Sequence, residues 1–270
     1  LPVSLFAMSV AAAELPELSR LVQDPAQIAQ RTNAALRRIA FWMLASSLLL
    51  IAAGEPIVAL LFEGGAFTSA DTSLVWLILV FYGLGLPAIG LSRMLQNAAY
   101  AMGDTAGPAR LAALRVSLAA AFGMLFMFPL DRAFIGIDGV EQLGEAFGLM
   151  GPLEATLRSD ESVVRLGAVG LALGSAIGAW VELVLLSRLL TRYLPSLRSP
   201  AAALIAPGTA AAIAFAVTAA IKLVTADLPT VVAALLTVGI GGFTYVVVAF
   251  RTGVREADMV LRPARRVIWR

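Results

Sequence analysis

Residues 166–190 read LGAVGLALGSAIGAWVELVLLSRLL, and this stretch decides the fold. It carries a charge only at Glu182 and, near its end, at Arg188. A helix needs about 20 consecutive, mainly apolar residues to cross a hydrocarbon core about 30 Å thick. The stretch therefore predicts a membrane-spanning helix. Three glycines four residues apart (Gly170, Gly174 and Gly178) form the small-residue pattern that lets helices approach closely in lipid, and we assign them a packing role.

Six further apolar stretches lie at residues 1–15, 39–62, 74–95, 111–130, 201–224 and 231–250. The first is short, and Gly54 to Pro56 predicts a bend in the second. Of the 270 residues, 60% are hydrophobic and only 14% are charged, which is typical of a protein dissolved in lipid. We therefore predict an all-α, polytopic transmembrane helix bundle with about seven spans.

The composition also excludes several kinds of chemistry. The chain has no histidine and no cysteine, so it has no thiol nucleophile, no disulfide and no zinc site of the usual kind. No catalytic triad, pair of catalytic carboxylates or phosphate-binding loop can be assembled, and we predict no enzyme activity, metal site or cofactor. A net charge of +2 does not favour a nucleic-acid partner.

The charges of the connecting segments predict the orientation. If the spans alternate, one side carries 15 of the 20 basic residues, including Arg110, Arg115 and the tail from Arg251 onward, and the other side carries four. Cytoplasmic loops are rich in Lys and Arg, so we expect a cytoplasmic C-terminus. The long outer segment 131–164 carries Val140, Leu143, Phe147 and Met150 at helical spacing, which predicts an amphipathic surface helix in part of it.

Few polar side chains are predicted to lie within the spans, where a charge normally faces a cavity or a partner. Arg93 is interpreted as a ligand for an anionic substrate, a partner of a carboxylate on another helix, or a side chain that reaches the inner interface. Glu182 lies deeper and is a candidate for proton or cation coupling, for an ion pair with Arg93, or for another structural pair. Gln96, Asn97 and Glu14 complete the set of substrate or coupling candidates, although Glu14 lies at a helix end where solvation is the default.

Three stretches resemble the MurJ/MviN family of lipid II flippases, which belongs to the multidrug/oligosaccharidyl-lipid/polysaccharide exporter superfamily. They are residues 1–20, residues 56–72 with the run Phe62-Glu63-Gly64-Gly65-Ala66-Phe67, and residues 82–108 with Tyr100-Ala101-Met102-Gly103-Asp104. The resemblance covers roughly residues 1–110. Arg93 stands where the family commonly carries a basic residue.

The resemblance implies the C-terminal half of a fourteen-helix transporter with two lobes around a central cavity. Residues 1–195 would form the second lobe, with the outer insertion 131–164. Residues 196–254 would add two helices that form a groove for a lipid tail, and residues 255–270 a basic cytoplasmic tail. The partners implied are the lipid-linked anionic substrate lipid II, membrane lipids and the absent N-terminal lobe, in the bacterial inner membrane.

The implied activity is translocation of the peptidoglycan precursor lipid II from the inner to the outer leaflet by alternating access, coupled to an unidentified ion or to the membrane potential. Some members hold sodium with polar side chains on the fourth and fifth spans, but residues 119–128 are wholly apolar here. Two alternatives remain open at this stage: another exporter of the superfamily, for drugs or polysaccharide units, and a membrane scaffold for cell-wall synthesis that does not transport.

Overall fold

Most of the chain is helical. The structure is a computed structural model, and it describes residues 2–136, 139–142, 163–225 and 228–268. A π-helical stretch, Val3–Met8, continues directly into α1. The elements after it are α1 (Ser9–Arg20), α2 (Pro25–Phe62), α3 (Ser69–Ala101), α4 (Ala106–Leu130), β1 (Ala133–Gly136), β2 (Gly139–Gln142), β3 (Val164–Arg165), α5 (Gly167–Thr191), α6 (Pro200–Val224), α7 (Thr230–Arg251) and α8 (Arg255–Ile268).

The predicted transmembrane bundle is confirmed. Helices α2 to α7 are each long and apolar enough to cross a membrane, and they contain six of the seven predicted spans. The seventh, at residues 1–15, lies in the shorter helical segment formed by the π-helical stretch and α1.

Two helix starts show how local sequence sets the boundaries. The Asp24 carboxylate accepts a hydrogen bond from the backbone N–H of Gln27 at 3.0 Å, which caps α2 before its first residue, Pro25. This bond, together with one from the Gln27 side chain, holds the pKa of Asp24 below its ordinary value. Thr68 and Asp71 form a reciprocal capping box at the start of α3.

Prolines interrupt the helical hydrogen bonds without ending the helices. Pro87 lacks the N–H that would bond to the carbonyl of Gly83. The hydroxyl of Ser47 on α2 donates to that carbonyl at 2.7 Å, and the indole N–H of Trp180 on α5 donates to the next one, Leu84, at 3.0 Å. Neighbouring helices thus satisfy the carbonyl that Pro87 frees and give the next carbonyl a further donor, as suits a membrane interior. Helix α2 likewise continues through Pro56, near the predicted bend.

The helices form a lobe with a hairpin attached to one side. In the lobe, α2 packs on α3, α3 on α5, and α5 on α4, while α1 and the π-helical stretch lie against α3. Helices α6 and α7 pack on each other, and both pack on α2. The buried core of the lobe includes Ile39, Met43, Leu91 and Leu186.

The outer segment folds differently from the prediction where it is described. Strand β1 pairs antiparallel with both β2 and β3, with Ile135 opposite Val140. Val140 therefore lies in a strand, and the surface helix predicted to include it is wrong at this residue. A β-branched residue beside Gly139 suits an extended hairpin strand. The other members of that pattern, Leu143, Phe147 and Met150, lie outside the described residues.

Candidate functional site

A chain of polar contacts crosses the lobe from α3 through α5 to α4. The Arg93 guanidinium donates to the side-chain oxygen of Gln96 at 3.2 Å, and the Gln96 amide donates to Oε1 of Glu182 at 2.8 Å. Oε2 of Glu182 accepts from the Arg115 guanidinium at 3.1 Å, in an ion pair. We call these four residues the Arg93–Arg115 network.

Burial changes steeply along this network. The Glu182 side chain is 0% exposed and that of Arg115 is 23% exposed, whereas Arg93 lies at the surface of the lobe. A buried carboxylate needs both a counter-charge and hydrogen bonds. Arg115 provides the counter-charge, and each oxygen of Glu182 has a hydrogen bond. With two guanidinium groups and one carboxylate, the network has an excess positive charge, and its exposed end is Arg93.

Of the alternatives for Glu182, the ion pair with Arg93 is wrong, and the other structural pair is found: Arg115 is the partner, and Gln96 stands between Arg93 and the carboxylate. Arg115 was counted with the basic residues of the inner connecting segment, although it lies four residues inside the predicted span 111–130. The helix begins earlier, at Ala106, so Arg115 lies nine residues inside α4. The sequence held a signal for the earlier start, since Pro108 favours the first turn of a helix.

The other two candidates lie elsewhere and make structural contacts. The Asn97 amide donates to the backbone carbonyl of Ala11 at 2.7 Å and joins α3 to α1. Glu14 forms an ion pair with Arg31 of α2 at 3.0 Å. The structure therefore brings Arg93, Gln96 and Glu182 together and leaves Asn97 and Glu14 apart from them.

Arg93 shares its exposed face of α3 with two tyrosines. Tyr82 and Tyr100 stand eleven residues before it and seven after it, spacings that return to nearly the same side of a helix. All three side chains are exposed. This face has hydrogen-bond donors and a cation on a helix that is otherwise largely apolar.

The interface between α4 and α5 does not fit a sodium site built from polar side chains. Gly123 and Gly174 meet there at backbone contact distance, and α4 is apolar from Ala119 to Phe128. Among the residues that the structure describes, no three acidic side chains gather in one place.

An apolar cleft lies between the lobe and α6. Its volume is about 200 Å³, and its walls include Leu48, Leu84, Trp180 and Phe215. The cleft opens between helices that present mainly hydrocarbon, so it is suited to part of an alkyl chain.

The sequence and the fold match the same family of known proteins. The family model described as "MurJ: Lipid II flippase MurJ" matches residues 1–138. The chain belongs to the lipid II flippase MurJ family. It is thus a multi-pass protein of the bacterial inner membrane, consistent with its six long apolar helices.

Individual members of the MurJ family match parts of the chain. The probable lipid II flippase MurJ of Rhizobium tropici is 34% identical over 131 residues, which cover 48% of this chain and 24% of that protein. The lipid II flippase MurJ of Thermosipho africanus is 36% identical over 118 residues, 44% of this chain and 24% of that protein. The chain thus aligns with about a quarter of the length of these MurJ relatives.

A solved structure of a lipid II flippase MurJ in an inward closed conformation matches the fold over most of the chain. The TM-score is 0.66 at 22% identity, over 96% of this chain and 45% of the solved one. The fold match thus extends well beyond the residues that the MurJ family model covers.

Proposed function

We propose that this chain is the second lobe and the added helix pair of a flippase for lipid II, and that it works by alternating access against another lobe. Residues 1–195 would rock against that lobe around a site near the middle of the membrane, as paired repeats do in transporters. The observation that carries the proposal is the Arg93–Arg115 network, since it holds an exposed cation on the surface of a lobe built to lie in lipid.

The charge of the network suits the head of a lipid-linked diphosphate. Guanidinium groups bind phosphate oxygens through paired N–H donors. Arg93 can meet such a group, while Gln96 limits its side-chain freedom. Tyr82 and Tyr100 lie about 16 and 10 Å from it along the same face of α3, so they can line the path of the head. Glu182 acts from behind as a positioning residue.

The cleft beside α6 suits the other end of the same substrate. Leu84, Trp180 and Phe215 offer a hydrocarbon surface that an isoprenoid tail can follow while the head moves across the lobe. The charge asymmetry of the loops supports a cytoplasmic C-terminus, so the head would enter from the side where the basic residues gather.

The test uses the protein as its own cell makes it, as the cell's only copy. Replacing Arg93 by Gln removes the exposed cation, and we expect lipid II translocation to fall by at least about tenfold, the effect of one charge-assisted hydrogen bond. Arg93→Lys keeps the charge and should keep part of the activity. Arg192→Gln, an exposed arginine outside the network, is the matched control and should transport normally.

The same experiment separates the alternatives. Loss of cell-wall synthesis on depletion, restored by Arg192→Gln but not by Arg93→Gln, supports the flippase. Drug sensitivity with normal walls would instead indicate an exporter of drugs or other molecules. Normal growth with alanine at Arg93 would favour a scaffold without transport.

The coupling of transport to an ion is a separate part of the proposal. Glu182 is the buried carboxylate nearest to Arg93, and we propose that its charge links the network to a proton or to the membrane potential. Glu182→Gln should then change how translocation depends on pH, at equal amounts of folded protein. If neither the pH profile nor the dependence on the membrane potential changed, Glu182 would be a positioning residue only.

A further inference from the structure

A second cationic site lies at the basic end of the bundle, away from the Arg93–Arg115 network. It is a cavity of about 310 Å³ between α2, the segment before α6, and the turn that joins α7 to α8. Its charged lining consists of Arg37, Arg198, Arg255 and Glu256. The volume is at the lower end of the roughly 300–1,000 Å³ typical of small-ligand pockets.

Asn33 of α2 holds Arg198 beside Arg37. Its side-chain oxygen accepts the backbone N–H of Arg198 at 3.0 Å, and its amide donates to the carbonyl of Ser196 at 3.1 Å. Asn33 and Arg37 lie four residues apart and so share one face of α2. The loop that carries Arg198 is therefore fixed next to Arg37.

The turn that follows α7 positions Arg255. Gly253 adopts a positive φ of 80°, and the N–H of Val254 returns to the carbonyl of Ala249 at 2.9 Å. This is the Schellman arrangement, which closes a helix and reverses the chain. Val254 and Ala257 are buried against the core around Phe41 of α2, so Arg255 is held at the cavity by a packed turn.

The three arginines outnumber the acidic side chains at this cavity. None of their guanidinium groups forms an ion pair with a carboxylate in the part of the chain that the structure describes. Glu256 is the one acidic group in the lining, so the lining has a net charge of about +2. The three arginines are exposed, so water screens much of their mutual repulsion, and together they still form a positive potential that attracts an anion.

We propose that this cavity binds the phosphate group of an anionic ligand. Three guanidinium groups can provide paired N–H donors to phosphate oxygens from several directions. Small apolar residues of α6, among them Ala202, Ala206 and Pro207, form the opposite wall. Met259 and Val260 are exposed on α8, four residues after Arg255 and Glu256 and so on the same faces of that helix. A phospholipid head fits both walls, and free phosphate fits the arginines alone. The proposal does not depend on transport.

The test measures bound ligand by native mass spectrometry on the full-length protein in detergent. The triple variant Arg37→Gln, Arg198→Gln, Arg255→Gln removes the cavity's cations. A charge-matched control replaces three exposed arginines outside the cavity: Arg110→Gln, Arg192→Gln, Arg251→Gln. The probes are phosphatidylglycerol, zwitterionic phosphatidylcholine and inorganic phosphate, and thermal unfolding of each variant verifies its fold.

We expect the cavity variant to bind phosphatidylglycerol roughly tenfold more weakly than the control variant, and phosphatidylcholine to show no such difference. Inorganic phosphate that binds the unmodified protein and not the cavity variant would identify a soluble ligand instead. A lysine triple at the same positions keeps the charge and the fold, and should recover part of the binding. Equal losses in the cavity and control variants would overturn the proposal, because general surface charge would then account for the binding.

Discussion

The lobe and the hairpin (helices α6 and α7) are both built from small and apolar residues, yet their glycines have different surroundings. A Cβ atom on Gly170 would lie 2.5 Å from the backbone nitrogen of Met127, and one on Gly178 would lie 3.0 Å from the carbonyl oxygen of Arg115. In the hairpin, a Cβ atom on Gly208, Gly239 or Gly242 would meet nothing within 4 Å, and one on Gly241 would meet the side chain of Thr218 rather than a backbone.

This difference shows where the backbone is held and where it faces lipid. Helices α4 and α5 touch through their main chains, which gives close van der Waals packing in a solvent that offers no hydrophobic drive for association. At its closest glycine, Gly241, the hairpin meets a side chain rather than a backbone, and its large apolar residues face lipid, with Leu235 and Phe243 each 68% exposed. We infer that the lobe moves as one rigid unit and that the hairpin is attached to it more weakly.

The largest expected effect comes from adding one methyl group to the lobe. In Gly174→Ala the new Cβ would collide with the backbone of Gly123, which cannot move aside as a flexible side chain can. We expect a loss of about 3 kcal/mol or more in the free energy of unfolding, at the upper end of overpacking effects. Chemical unfolding in mixed micelles measures it.

The matched control is the same change in the hairpin. Gly208→Ala places its methyl group in open space, and alanine is the better helix former by about 0.5–1 kcal/mol. Its stability should be unchanged or slightly raised. Equal destabilisation by the two substitutions would remove the contrast between lobe and hairpin.

A second contrast compares two ion pairs, one within the lobe and one between the hairpin and the lobe. Arg115→Ala leaves the buried Glu182 carboxylate without its counter-charge, and we expect a cost of about 3 kcal/mol. Lys222 of α6 pairs with Glu55 of α2 at 3.2 Å and lies 5.1 Å from the ring centre of Trp76. Both its side chain (32% exposed) and that of Glu55 (43%) are partly exposed, so Lys222→Ala should cost about 1 kcal/mol.

The measurement for both pairs is a double-mutant cycle in unfolding, with Glu182→Ala and Glu55→Ala as the second changes. The coupling energy should be clearly larger for the lobe pair, since a low-dielectric surrounding strengthens an ion pair. A larger coupling between Lys222 and Glu55 would mean that the hairpin is held to the lobe chiefly by charge.

Hydropathy alone predicted the helices, because a lipid-spanning helix must be continuously apolar and its length is set by the bilayer. It also indicated Arg93 and Glu182, since charges are costly inside a span. It did not give the partner of Glu182, because pairing depends on how three helices are rotated against one another. Hydropathy places Arg115 at a span's basic end, whereas packing turns it toward α5.

Some features depend on contacts that no local pattern encodes. The sequence does not show whether the Asn97 amide binds a substrate or a backbone group. In the structure α1 lies close to α3, and the amide binds the carbonyl of Ala11. Strand pairing of Ile135 with Val140 was missed because a helical spacing of apolar residues also occurs by chance in a segment rich in glycine. Asn33 at the arginine cavity acts through a loop more than 160 residues away in sequence.

The smallest expected effect concerns the contact between the hairpin and the lobe. The hydroxyl of Tyr245 on α7 donates to the carbonyl of Phe41 on α2 at 2.6 Å, and the side chain is buried between the two helices. Tyr245→Phe keeps the ring and its packing, so it removes one hydrogen bond at a cost of about 1 kcal/mol. Tyr193→Phe, at an exposed position, should cost nothing measurable.

If the hairpin is attached more weakly than the lobe helices are to one another, amide hydrogen exchange in Tyr245→Phe should accelerate in α6 and α7 and stay unchanged in α4 and α5. Faster exchange throughout the lobe as well would mean that the two regions unfold together, and the hairpin would then be as firmly held as the glycine-packed helices.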